Sequence, residues 1–185
     1  MKKLVFVLLI GLLVSTAAFA DHDGFGIGLI LGGGGGYHAG GTFYPGVSLK
    51  IPSLPVFWGI YTGISPFHVG LTFTGDYYFF DKNLFTSNID NDDSTYKFKL
   101  DWYFGLGGAV SLNFYRGIFG RGGWDGIGFG LRVPVGLSWH VIKQFEIALG
   151  LAPVLGLYIS SYYSNYVAFW WDINVELAFR YWVKK

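Results

Sequence analysis

Two-fold alternation of apolar and polar positions runs through most of this chain and is longest at its C-terminal end. From Tyr166 to Val183 the odd positions Val167, Phe169, Trp171, Ile173, Val175, Leu177, Phe179, Tyr181 and Val183 are apolar or aromatic. The even positions carry Asp172, Asn174, Glu176 and Arg180 among alanines and tryptophans. Successive side chains of a strand point to opposite faces, so the pattern predicts a β-strand between an apolar medium and a polar space. Aromatic pairs mark its ends, Trp170 with Trp171 and Tyr181 with Trp182. At a rise of about 3.3 Å per residue and a tilt of roughly 40°, the interval between them spans on the order of 25 Å, the height of the apolar band of an outer-membrane barrel. These four aromatics are therefore expected to belong to its girdles.

The same period predicts seven further strands, Gly24 to Gly32, Thr42 to Lys50, Val56 to Ile64, Phe67 to Phe80, Tyr96 to Val110, Gly126 to Trp139 and Phe145 to Tyr158. Between them the glycines at 32–36, the Asx-rich segment Asp81 to Thr95, the stretch Ser111 to Asp125 and the Ser/Tyr-rich Ser160 to Tyr166 read as loops. An even count of eight suits a closed sheet with both termini on one side. Alternation alone does not say which face is outside, and a soluble lipocalin-like barrel shares the period. Here the face opposite the apolar one is largely glycine and alanine, as at Gly126, Gly128, Gly130, Ala148, Gly150 and Ala152. A narrow interior needs such small residues, whereas a solvated face would carry Thr, Lys and Glu. The expected fold is all-β, an eight-stranded antiparallel up-and-down transmembrane β-barrel.

The first residues change where this barrel is expected to be. Lys2 and Lys3, an apolar run from Leu4 to Val14, and Ala18-Phe19-Ala20 before Asp21 are the parts of a secretory signal peptide. Residues 1–20 are expected to be removed and 21–185 to form the barrel, assembled in the outer membrane by the barrel-insertion machinery. Without Lys2 and Lys3, the 13 basic residues fall to 11 against 12 acidic ones, which offers no footprint for nucleic acid. The absence of cysteine excludes disulfides and thiolate metal sites.

Four segments carry a resemblance. Tyr103-Phe-Gly-Leu-Gly-Gly-Ala-Val110, Gly130-Leu-Arg-Val-Pro-Val-Gly-Leu137, Leu149-Gly-Leu-Ala-Pro-Val-Leu-Gly-Leu157 and Phe179-Arg-Tyr-Trp182 resemble a family of small uncharacterised outer-membrane proteins known in spirochaetes among other bacteria. That family looks like the OmpA transmembrane domain and OmpX. The resemblance implies eight strands in outer-membrane lipid and no established enzymatic activity.

Candidate chemistry is sparse. Glu146 and Arg180 are expected to face each other on the inner side of neighbouring strands. Asp76, Lys97, Lys99, Asp101, Arg132, Asp172 and Glu176 are expected to extend this pair into a polar network that fills the lumen. The alternative is that these charges line a narrow channel or a conduit for an apolar ligand. Ser138, His140 and Glu146 are the one arrangement with hydrolytic residue types, although no oxyanion donor accompanies them. Asp90, Asp92 and Ser94 have the opening spacing of a calcium loop, but Thr95 takes the place of its glycine. No catalytic residue, metal or cofactor is expected. Tyr162, Tyr163 and Tyr166 combine large contact area with adaptable hydrogen bonding and are candidates for a loop that binds a host surface ligand. The expected role of this monomer is structural or adhesin-like.

Overall fold

A computed structural model of the chain describes residues 24–37, 42–64, 68–91, 94–115, 123–142, 144–160 and 166–183, without the side chains of 37, 80–81, 88–91, 94–97 and 115. The expected leader, the Tyr162 and Tyr163 pair and the Lys97 side chain lie outside the described residues. Nine strand segments follow one another: β1 (Phe25–Tyr37), β2 (Thr42–Lys50), β3 (Val56–Ile64), β4 (His68–Asn91), β5 (Ser94–Tyr115), β6 (Gly123–Arg132), β7 (Val135–Ile142), β8 (Phe145–Ser160) and β9 (Tyr166–Val183). Each pairs antiparallel with its neighbours, and β9 returns to pair with β1 from Phe25 opposite Val183 to Tyr37 opposite Trp171. The sheet is therefore a closed ring.

The strand expected over Gly126 to Trp139 is split into β6 and β7 at Val133 and Pro134. Both segments lie between the same two neighbours, β5 and β8. Proline has no N–H to offer a ladder, yet bonding continues around it. Gly105 N–H donates to the Pro134 carbonyl at 2.8 Å and Val133 N–H to the Pro153 carbonyl at 3.0 Å.

Three expected loops are strand in their described residues. The glycines at 32–36 continue β1, with Gly32 opposite both Tyr44 and Glu176. Their missing side chains admit the neighbours' bulk, since a Cβ on Gly34 would sit 2.5 Å from Asn174 Oδ1. Within the Asx-rich segment, 81–91 and 94–95 form the far part of a long β4–β5 hairpin that pairs down to Asn91 opposite Ser94, with bulges near Phe80 and Phe85. Past Tyr77 and Lys99 this hairpin has lost β3 and β7, and it projects beyond the end of the ring where both termini lie. The hairpin also removes the calcium-loop reading, because Ser94 to Asp101 is extended strand while a calcium loop must curl around its ion. Similarly, much of 111–125 belongs to β5 and β6.

The faces of the ring are inverted relative to a soluble protein. Arg132 and Glu146 are 2% and 1% exposed, whereas Leu131 and Leu29 are 66% and 63% exposed. Apolar residues form the outside and polar residues are enclosed, the reverse of a lipocalin-like barrel.

Candidate functional site in the ring interior

The interior is built from the even-numbered faces of β1, β6, β8 and β9 and the matching faces of the other strands. Arg132, at the end of β6, lies at its centre. Its Nε donates to Asp76 of β4 at 2.9 and 3.0 Å, and its two Nη atoms fork onto Glu176 of β9 at 2.6 and 2.5 Å. One guanidinium thus joins three walls of the ring, in the bidentate geometry that makes such pairs strong.

Nearer the end that holds the termini, Glu146 Oε1 accepts from Ser138 Oγ at 2.8 Å and from Arg180 Nη1 at 2.8 Å. Its Oε2 accepts from Trp182 Nε1 at 2.7 Å, and Arg180 Nε reaches on to Ser48 Oγ at 2.9 Å. The Glu146 to Arg180 pair follows from strand register, which sets the two residues directly opposite. A third cluster surrounds the fully buried Asp101. Asn83 donates to it at 3.1 Å, Lys99 lies 3.2 Å away and His140 lies 3.6 Å away.

Aromatic rings pack between these clusters. Phe57, Tyr78 and Tyr103 stack in series with centroids 4.5 and 4.7 Å apart, and Trp182 meets Phe57 edge-on at 6.2 Å. Glycines make room for them. A Cβ on Gly136 would sit 2.5 Å from the Tyr103 hydroxyl, and one on Gly105 would sit 2.7 Å from the Tyr78 ring. These enclosed aromatics escape a reading of charge spacing. Their signal in the sequence is a large aromatic on one strand with glycines on its neighbours.

The girdle assignment needs correction. Trp171 and Tyr181 are exposed on the outer face, but Trp182 is buried inside the ring and Trp170 lies over the inner glycines Gly128, Gly130 and Gly156. Both occupy even positions, and the geometry of alternation overrides the aromatic pairing that suggested girdles. Outer aromatics instead come from several strands, as where Phe98 approaches both Phe85 and Trp139. Tyr166 is exposed at the opposite end from the termini, beside the undescribed residues 161–165.

The hydrolytic arrangement is not assembled. Ser138 donates to the Glu146 carboxylate, while His140 Nδ1 faces Asp101. A serine bound to a carboxylate has no imidazole positioned to take its proton. The remaining network residue, Asp172, faces inward on β9 and accepts from the Ile173 N–H at 2.9 Å.

No protein-family model matches the chain, and no curated protein sequence does. Its fold is similar to that of Neisserial surface protein A (NspA), with a TM-score of 0.53 and 11% identity over 85% of this chain and 96% of that one. At that identity the likeness is one of fold alone, and the closed, polar-inside and apolar-outside sheet is an outer-membrane β-barrel fold.

Proposed function

We propose that the chain is a small outer-membrane protein with a structural or surface-interaction role and no catalysis. With β6 and β7 taken as one interrupted strand, its ring is an eight-stranded transmembrane barrel. The observation that carries this reading is the inversion of faces, with Arg132 enclosed and Leu131 outside. Export by the signal peptide at 1–20, insertion by the barrel-assembly machinery and kinship with the spirochaete-type family that looks like OmpA and OmpX are consistent with it. Three ionic clusters and a stack of aromatic rings occupy the interior, which argues against an open conduit.

Leu131→Arg tests the membrane reading. An arginine on the lipid face near the bilayer midplane is expected to cost about 2–4 kcal/mol. The same change on a water-facing surface stays within about 0.5 kcal/mol. Urea unfolding of protein refolded into vesicles measures the difference, with heat-modifiable gel mobility marking the closed barrel. A neutral Leu131→Arg, or a folded species soluble without detergent, would exclude the bilayer as this protein's environment.

The surface role rests on Tyr162 and Tyr163 in the sequence together with Tyr166, which is exposed at the end of the barrel away from the termini. Exchange of Tyr162 and Tyr163 for serine is expected to reduce adhesion of cells displaying the protein on host-cell monolayers to that of cells lacking it. Undiminished adhesion would remove the adhesin-like part of the proposal and leave the structural part standing.

A further inference from the structure

The enclosed charges divide unevenly along the axis of the ring. Toward the termini, Asp76, Asp101, Glu146 and Glu176 are met by Lys99, Arg132 and Arg180. In the other half Asp172 is only 8% exposed, and no ion-pair partner reaches it among the described residues. Backbone N–H groups of Ile173 and Gly35 bond to it instead. A carboxylate withdrawn from water without a cation is unfavourable unless something else supplies the charge.

Two residues along the same face lies Trp170. Its indole rests on a wall made of glycine backbone, where a Cβ on Gly156 would be 2.6 Å from Nε1, one on Gly130 3.3 Å from Cζ2, and one on Gly128 3.6 Å from Cε2. The Nε1 atom is buried and has no hydrogen-bond acceptor. With one face against this wall, the ring turns its other face to the lumen. The lining around it combines small neutral residues, Thr72 bonded to Ser111 at 3.0 Å and Asn113 to Ser111 at 3.3 Å, with Tyr158, whose ring meets Trp170 over Gly128 and whose hydroxyl donates to Asp125 at 2.9 Å, and these residues are half-buried. In contrast, the aromatics toward the termini are fully enclosed.

A carboxylate with no ion-pair partner among the described residues, beside an indole face and in a half of the lumen whose other carboxylate, Asp125, lies 3.6 Å from His68, selects for one kind of ligand. An anion would be repelled by Asp172. A neutral polyol would leave its charge unmet. An ammonium group supplies the missing charge, and its N-alkyl groups are attracted to the face of an indole. We propose that this half of the lumen binds a small organic cation, with the ammonium on Asp172 and its alkyl groups against Trp170.

The inference rests on the barrel reading, so heat-modifiable mobility of every sample first establishes that the barrel is closed. Loss of that mobility would indict the barrel reading and not the site. Full-length mature protein in maltoside micelles, free of choline-type detergent, is then titrated with tetramethylammonium and with tert-butanol, a neutral molecule of similar size. The Trp170 indole N–H signal, assigned by Trp170→Phe, reports binding by NMR. The expected result is a saturable shift with tetramethylammonium and none with tert-butanol, and Asp172→Asn weakens binding about tenfold or more, as loss of a charged partner should. The proposal is overturned by equal responses to both molecules, by a response that sodium or calcium chloride reproduces, by no saturable shift, or by unchanged affinity in Asp172→Asn. If Asp172→Asn does not refold, the contrast between the charged and neutral ligands on the unsubstituted protein decides alone.

Discussion

Replacing Arg132 with methionine is expected to destabilise the barrel by about 3–5 kcal/mol, because it strands two enclosed carboxylates. An exposed ion pair is worth about 0–1 kcal/mol, so burial decides the size of the effect. Arg132 is 2% exposed and its fork holds both Asp76 and Glu176. Without it, two negative charges share a space from which water is largely excluded. Exchanging all three residues for apolar ones of similar volume should recover most of the loss, since a packed apolar triad replaces a buried ionic one at little net cost. Urea unfolding followed by tryptophan emission, with gel mobility as the measure of closure, tests both statements. A loss under about 1 kcal/mol for Arg132→Met would mean that lumen water already solvates Asp76 and Glu176. The interior would then be a wet passage and not a filled core.

How much of this was legible in the sequence depended on the range over which each feature is determined. The period of two is local, so the faces of β8 and β9 could be read, and with them the pairing of Glu146 with Arg180. The Arg132 cluster could not be derived in the same way. Arg132 is 56 residues from Asp76 and 44 from Glu176, and the three meet only through the stagger of strands around a closed ring. Residues 81–95 and the glycines at 32–36 were misread for a related reason. Their composition suits loops, but ladder pairing holds them extended, with the adjacent strand β5 for the first and the sequence-distant β9 for the second. At Trp170 and Trp182 two local signals conflicted, parity and aromatic pairing. Parity is a property of backbone geometry and prevailed.

Glu146→Ala is expected to lose about 3–5 kcal/mol as well, since it leaves the enclosed Arg180 without its carboxylate. The reason it matters lies in where Glu146 stands. Its donors come from β7 and β9, and Arg180 extends the chain of contacts to Ser48 on β2. That path crosses β1, the strand on which β9 closes the ring. Glu146 therefore ties the first and last parts of the chain across the closing seam. Glu146→Gln separates charge from shape, because the amide oxygen can still accept from Arg180 while the ionic attraction is gone. Its loss is expected to be smaller, about 1–3 kcal/mol, the range for one imperfectly satisfied buried polar group. Trp182 provides an independent readout, as its Nε1 donates to Glu146 from a buried position. In Glu146→Ala water should reach that indole and shift its emission to the red, whereas Glu146→Gln should leave the emission near that of the unsubstituted protein. Equal losses with no red shift in either variant would mean that charge alone matters here and that the hydrogen bonds to Trp182 and Ser138 do not hold the seam. A red shift confined to Glu146→Ala would show the converse, that a shared acceptor between two strands keeps water out of the closed ring.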